Sequence, residues 1–376
     1  MKTPELDLLE SADQTELRTT VRKAVAHRSA ADPEGGVGDP WRFTTADLGL
    51  AGLAIAEELD GVGLGVRELG LVAEELGRAL AAPAFVTSAV VATRALAGCA
   101  ADPARDALRG LAEGARTAVL VAPGPTAATE EYPAAVQATG EQELALNGVV
   151  EVVPGAGWAD LFVVPAVLDG RPVLALVDGA EHVGVEVEVS MDQTRPVATV
   201  TLSDTAAVAI ARDAEAEEAL RAALDLGAAV LCAERVGMME WAVATTAEYL
   251  GQRYQFGQLI GSYQALRHAN ARMWIDATQA RAITAHALAA HDDDPAELPM
   301  ATGLAAAYTA QRAVLTIEQA QQLHGGIGFA WEHPLHWYLK RAMADSVLFG
   351  TDEQHRNRVG ALTDLAPAPI RAGATI

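Results

Sequence analysis

The spacing of apolar positions divides the chain into three textures. From about residue 5 to about residue 112 the period is helical. Leu17, Val21 and Val25 recur four apart among polar and charged neighbours, which places them on one helix face. A second amphipathic stretch covers residues 69–80, and Pro83 is expected to close it. Near residue 115 this period gives way to short apolar runs at 118–122, 144–150, 161–164, 173–177, 183–189 and 197–202. These runs lie close together, with turn residues such as Pro123-Gly124-Pro125 between them and no helical stretch. That pattern predicts an antiparallel sandwich or barrel and not βαβ units. After about residue 212 the helical texture returns, with long helices expected over 215–251, 263–291, 300–324 and 334–348. Short connections between them suggest an up-and-down four-helix bundle. The expected fold is mostly α with a central β domain, divided into residues 1–112, 113–210 and 211–376.

Composition narrows the function classes. The 376 residues include enough apolar side chains for a sizeable core, and the formal net charge is -23. A charge of that sign repels nucleic-acid phosphates and anionic membrane surfaces, so neither is an expected partner. No apolar run reaches the roughly 18 residues of a membrane span. The first residues lack a basic stretch followed by an apolar one, so no secretory signal is read there and a cytoplasmic protein is expected. Cys99 and Cys232 each sit in an Ala/Leu-rich helical context and are expected to be buried thiols, neither paired nor metal-bound.

Several short motifs bear on chemistry. Gly61-Val62-Gly63-Leu64-Gly65 follows an acidic segment and not a strand, so it reads as a turn and not as a dinucleotide loop. Glu332-His333-Pro334-Leu335-His336 lacks the two-histidine helical spacing of a zinc site, and Pro334 interrupts helix across it, so no metal is expected. His324-Gly325-Gly326-Ile327-Gly328 reads as a glycine helix stop, or as a place where backbone amides approach phosphate or ribose oxygens. Arg253, at the end of a long helix, is either a cation favoured by the helix C-terminus or a fork for pyrophosphate. Phe256 is either core or a ring packed on an adenine or flavin edge.

Taken jointly, these segments resemble the acyl-CoA dehydrogenase family. The resemblance is carried by Tyr249 to Gly257, by Ile260-Gly261-Ser262-Tyr263-Gln264-Ala265-Leu266-Arg267-His268, by Gln322 to Gly328, and by Glu332 and Arg341. Glu58 to Gly63 and Glu74 to Leu80 match the family's N-terminal domain, and the helical–β–helical order fits throughout. The resemblance implies a tetrameric FAD protein that introduces an α,β double bond into an acyl-CoA thioester and passes electrons to an electron-transferring flavoprotein. In that chemistry a glutamate removes the α proton while the β hydrogen leaves as hydride to the flavin. The resemblance further implies that Arg253, Phe256, Gln264, Gln322, Gly325 and Gly326 contact the pyrophosphate and adenosine of an FAD whose ring lies on the neighbouring protomer.

The chain departs from the family pattern where the chemistry would occur. The segment matching Tyr-Glu-Gly-Thr reads Leu348-Phe349-Gly350-Thr351, so Phe349 stands at the glutamate position. The alternative base position early in the long helix reads Gly227-Ala228, and Asp225 and Glu234 lie on other faces at roughly 100° per residue. Asp352 and Glu353 are the remaining candidates for a displaced base. The usual Thr-Glu-Pro appears as Val121-Ala122-Pro123, and Gly-x-Lys-x-Trp-Ile as Gly148 to Val153. The expected catalytic set is therefore empty, and the chain is expected to support FAD held by a homologous partner in an α2β2 heterotetramer. Met191 to Pro196 and Leu323 to His333 resemble the bacterial steroid side-chain branch of such heteromers. The alternatives are a self-sufficient enzyme with a relocated carboxylate and a non-catalytic scaffold of the same fold.

Overall fold

The computed structural model describes residues 8–26, 48–81, 84–141 and 143–363. The expectations for the first seven residues and for Pro83 lie outside the described residues. Helix α1 (Ala12–Val25) starts at Ser11, whose hydroxyl accepts from the Gln14 backbone while the Gln14 side chain accepts from the Ser11 backbone. This reciprocal cap satisfies two amides that the first turn leaves unpaired. Val21 and Val25 are buried, as the four-residue spacing requires. Helix α2 (Val66–Ala79) stops at Leu80, which adopts a left-handed conformation. Among the described residues between them the chain makes two 3-10 turns, Leu50–Gly52 and Glu57–Leu59. Gly61 packs so tightly on Ile55 that a Cβ would sit 2.0 Å from its carbonyl oxygen. The glycine cluster there makes a tight turn. A buried π-helix, Phe85–Ala92, then leads into α3 (Thr93–Ala97) and α4 (Asp102–Ala112).

The β region holds seven strands: β1 (Ala118–Leu120), β2 (Val136–Gly140), β3 (Glu143–Pro154), β4 (Leu161–Leu168), β5 (Arg171–Asp178), β6 (Gly184–Val187) and β7 (Val197–Arg212). Pairing runs β4–β2–β3–β7–β5 and returns to β4, closing a barrel-like ring, with β1 beside β4 and β6 beside β7. Most pairs are antiparallel, as expected, but β1–β4 and β2–β4 are parallel. The correction has a topological cause. Each of these pairs is joined by a long connection and not by a hairpin, which lets the strands run the same way. The ring has its own core, in which Leu146, Val153, Phe162, Val164, Val173 and Val200 are fully buried.

The last third contains α5 (Asp213–Gln252), α6 (Gln264–Asp293), α7 (Leu298–His324), α8 (Leu335–Asp345) and α9 (Asp352–Leu362). A short hairpin, β8 (Tyr254–Gln255) with β9 (Gln258–Leu259), links α5 to α6. Two expectations need correction. The fourth helix ends at Asp345 and not near 348, and a further helix, α9, packs on α7. Only His355 of α9 is buried, so it carries no apolar stripe that a periodicity argument could detect. Both cysteines are buried, and each thiol donates to a carbonyl one helical turn back, at 3.2 Å for Cys99 and 3.1 Å for Cys232. Burial pushes the Cys99 thiol up to about 12. Among the described residues no helix is long and apolar enough to cross a membrane.

Candidate functional site

The four departures from the family pattern meet in space. Phe349 follows α8 in a left-handed conformation, φ 58°, which costs a bulky residue roughly 1–2 kcal/mol. Its N–H donates to the Gly124 carbonyl at 2.8 Å, and the Gly124 N–H donates to the Val152 carbonyl at 2.9 Å. Val152 lies at an irregularity in the β3–β7 pairing and has φ 57°. One chain of backbone hydrogen bonds thus joins the Phe349 segment, the Pro123-Gly124-Pro125 turn and β3. The Phe349 side chain is buried and lines one small space together with Thr87, Val91, Ala122, Pro123, Pro154 and Leu224. A Cβ at Gly227 would lie 3.2 Å from two ring carbons of Phe349 and 2.6 Å from a methyl of Val91. The residue at one base position of the family therefore packs on the other. About 10 Å³ of free space remains, room for no more than about one water.

No carboxylate lines this space among the described residues. Each acidic residue considered as a base is engaged or exposed elsewhere. Asp225 pairs with Arg358 of α9, at 2.9 Å for the longer of two contacts. Glu234 accepts from Arg195 at 2.6 Å and from Arg341 at 2.7 Å. Asp352 pairs with Arg356 at 2.7 Å in the first turn of α9, and Glu353 is exposed.

A buried ionic network ties the β region to the bundle. Arg195 bonds Glu234 of α5 and Asp345 of α8, and Arg341 bonds Asp192 at 2.8 Å and the Thr194 hydroxyl at 2.6 Å. Arg235 donates to the Thr309 hydroxyl at 3.2 Å and to the Asp345 carbonyl. Burial alone raises a carboxyl pKa. At Glu234 the paired Arg195 and Arg341 outweigh burial and hold the carboxyl below its usual range, and at Asp192 Arg341 does the same. At Asp345 burial prevails and pushes the carboxyl up to about 7. Arg341 belongs to the motif noted in the sequence. Its partners Glu234 and Asp192 lie 107 and 149 residues away, and although Asp192 falls in the noted Met191 to Pro196 segment, nothing in the sequence pairs either with Arg341.

The expected cofactor-contacting residues lie on a different, open surface. Arg253 caps the C-terminal end of α5, its N–H donating to the Tyr249 carbonyl at 2.9 Å. The Tyr249 ring stacks on His324 with centroids 4.5 Å apart, which brings the end of α5 beside the end of α7 and its Gly325-Gly326 turn. Arg253, Phe256, Gln264, Gln322, Gly325 and Gly326 are all exposed. Phe256 is 92 % exposed at the tip of the hairpin, with φ 51°. Gly325 has φ 60°, and a Cβ at Gly325 or Gly326 would meet nothing within 4 Å. Glycine is therefore required at 325 by conformation, while space above both residues is open to an incoming group. Exposed Tyr254, Ile327, Phe329 and Trp331 belong to the same turns.

The motif rich in histidines has packing roles. His336 stacks on Trp331 at 4.5 Å, and His333 Nδ1 accepts the Leu335 N–H at 3.3 Å. Among the described residues no group of three His, Cys, Asp or Glu is placed to hold a metal.

Comparison with known proteins agrees with this architecture. The family model for the acyl-CoA dehydrogenase N-terminal domain matches residues 11–115, and that for the acyl-CoA dehydrogenase C-terminal domain matches residues 218–362. Acyl-CoA dehydrogenase FadE34 of Mycobacterium tuberculosis is 33% identical over 356 residues, which is 92% of this chain but only 46% of that protein. The chain thus spans under half of that relative. Acyl-CoA dehydrogenase IpdE2 of the same organism is 31% identical over 354 residues, 91% of this chain and 95% of that protein. Among solved structures, a variant of the Tcur3481-Tcur3483 steroid ACAD matches with TM-score 0.82 and 26% identity, over 94% of this chain and 98% of that one. The ChsE4-ChsE5 complex from Mycobacterium tuberculosis matches with TM-score 0.81 and 25% identity, over 96% of this chain and 100% of the matched chain. The sequence matches, the order of helical and β regions and the placement of the motifs agree: the chain belongs to the acyl-CoA dehydrogenase family.

Proposed function

We propose that this chain is a subunit of an FAD-dependent acyl-CoA dehydrogenase and that it serves a cofactor seated on a homologous partner. The observation that carries the reading is the burial of Phe349 at the glutamate position, over Gly227, in a space with no carboxylate. Proton abstraction needs a titratable group within hydrogen-bonding reach of the substrate, and a phenyl ring supplies none.

The open surface fits one end of a dinucleotide. Arg253 offers a planar fork of donors suited to a pyrophosphate, and it makes no ion pair with a carboxylate among the described residues. No side chain stands over Gly325 or Gly326, so a phosphate or ribose could approach their backbone closely, although the Gly325 N–H itself donates to the Gln322 carbonyl. Gln264 and Gln322 offer amide donors and acceptors, and Phe256 an uncovered ring face for a planar heterocycle. FAD, when bound, supplies the hydride acceptor of the reaction. This chain's own residues would hold and orient its non-reacting end and exclude water from it, while the proton is taken by a carboxylate of the partner.

The substrate class is read from relatives. The Tcur3481-Tcur3483 structure is described as a steroid ACAD, and the ChsE4-ChsE5 structure is a complex of two named chains. The proposed substrate is accordingly a bulky acyl-CoA of the steroid side-chain class, and the proposed assembly an α2β2 heterotetramer that hands electrons to an electron-transferring flavoprotein. The test is co-expression with a homologous subunit, followed by size and flavin content. One FAD for every two chains, with steroid acyl-CoA oxidation by the complex and neither flavin nor turnover in this chain alone, is the expected result. A yellow, active protein obtained from this chain by itself would overturn it.

A further inference from the structure

We propose that Phe349 is a plug: its ring, seated over Gly227, closes this subunit's own acyl cleft, and the space it fills is a latent site for a neutral apolar group of single-ring size. The inference deepens the preceding reading and rests on it only for the identity of the cleft. Its structural basis is independent of flavin and partner.

Three observations converge on it. First, the fit is mutual. The Phe349 ring lies so close to Gly227 that a Cβ there would be 3.2 Å from two of its carbons, tighter than ordinary van der Waals contact. A glycine within a buried helix weakens the helix relative to alanine, and here it makes room for Val91, which a Cβ would meet at 2.6 Å, and for the ring. Second, the backbone is held to the task. Phe349 and Gly350 both have positive φ, 58° and 111°, and the Phe349 N–H is fixed to the Gly124 carbonyl. A Cβ at Gly350 would come within 2.9 Å of the buried His355 ring, so α9 supports the segment from behind. Third, the surroundings are apolar. Val91, Leu120, Ala122, Pro154 and Leu224 line, together with Phe349, the small space beside the ring, and Thr87, the one side-chain hydroxyl there, donates to the Ala84 carbonyl at 3.3 Å. A cavity left there by removing the ring would be dry and lined by hydrocarbon, the kind that takes up a small apolar molecule and not water.

The prediction distinguishes a silent site that is closed from one that merely lacks a base. The test uses the full chain, in complex with its partner if it is purified that way, as wild type, Phe349→Ala and Phe349→Leu. Phe349→Ala is expected to lower the Tm by roughly 5–10 °C. Saturating benzene is then expected to restore part of that loss by binding the native state only. Wild type should show no benzene-dependent rise in Tm, and Phe349→Leu a smaller one than Phe349→Ala. Equal responses in wild type and variants would overturn the plug, because the space would not be closed by the ring. A variant that folds but never responds would overturn the latent site. If Phe349→Ala does not fold, Phe349→Leu against wild type decides the question in the same way. None of these outcomes depends on flavin content, so failure here is separable from failure of the partner-site reading.

Discussion

The cleft around Phe349 and the surface around Gly325 are both built from family motifs, yet they have opposite physical characters. The first is buried, apolar and filled, with about 10 Å³ to spare. The second is exposed, rich in hydrogen-bonding groups and open above its glycines. Positive φ occurs in both, at Phe349 and at Gly325, with different consequences. At Phe349 the strain of roughly 1–2 kcal/mol is offset by burying a large ring, worth about 1.5–3 kcal/mol. At Gly325 no side chain is buried, and the unusual backbone leaves space for something outside the chain. A motif whose exposed groups find no use within the molecule is more informative about partners than one whose residues are consumed in packing.

The buried ionic network that ties the β region to the bundle offers the most forceful way to break the comparison. Glu234→Gln would leave Arg195 and Arg341 short of a carboxylate in a buried junction. Denaturant unfolding is expected to show a loss of about 3–5 kcal/mol. A loss below about 1 kcal/mol would mean that the junction is not a unit. Phe349→Glu tests the closed cleft directly, since it restores the family's carboxylate. It is expected to cost roughly 3 kcal/mol by placing an unpaired acid among hydrocarbon, and to yield no dehydrogenation by this chain alone. Measurable turnover by that variant would show that only the base had been lost.

On the open side, Arg253→Ala is expected to leave the Tm within about 1 °C of wild type, since surface changes rarely matter for stability. In the complex it should weaken FAD retention about 10–100-fold, the loss of a charge-assisted contact of roughly 1.5–3 kcal/mol. Equilibrium dialysis of flavin would measure it. The smallest effect concerns the support behind Phe349. Burial, with Arg235 and Arg358 nearby, holds His355 down at about 4, and burial holds His291 down at about 4. A lowered histidine pKa stabilises the fold fully above the ordinary value of 6.5 and ceases to do so as pH falls through 4. Stability should therefore decline between pH 6.5 and pH 4. His355→Gln should reduce that slope by on the order of 1 kcal/mol per pH unit, read from thermal unfolding at a series of pH values.

Much of this organisation is legible in the sequence for identifiable reasons. The long helices α5, α6 and α7 begin and end within about two residues of the expected limits, because Pro, Gly and polar clusters punctuate them strongly. Strand β2 carries no apolar run of the kind that marks the other strands, since Val136-Gln137-Ala138-Thr139-Gly140 offers only two buried side chains, Val136 and Ala138. Helix α9 is not legible in the sequence because it rests on its cap and on packing against α7, not on an apolar stripe. In the site, the departures from the family's base positions are legible residue by residue at Phe349 and Gly227. Their contact could not, because the two residues lie more than a hundred positions apart.

By itself, the sequence determined the local conditions: where helices punctuate, which positions are apolar, and which residue types stand at the motif positions. These are properties of short windows, governed by backbone propensity and side-chain period. Only the tertiary structure decided that Phe349, Gly124, Val152 and Gly227 meet in one filled space, that Glu234 is held by two arginines and not free to act as a base, and that Arg253 and Gly325 lie at adjacent helix ends. Burial, ion pairing and close packing are relations between distant segments, and their energies exist only once the chain has folded.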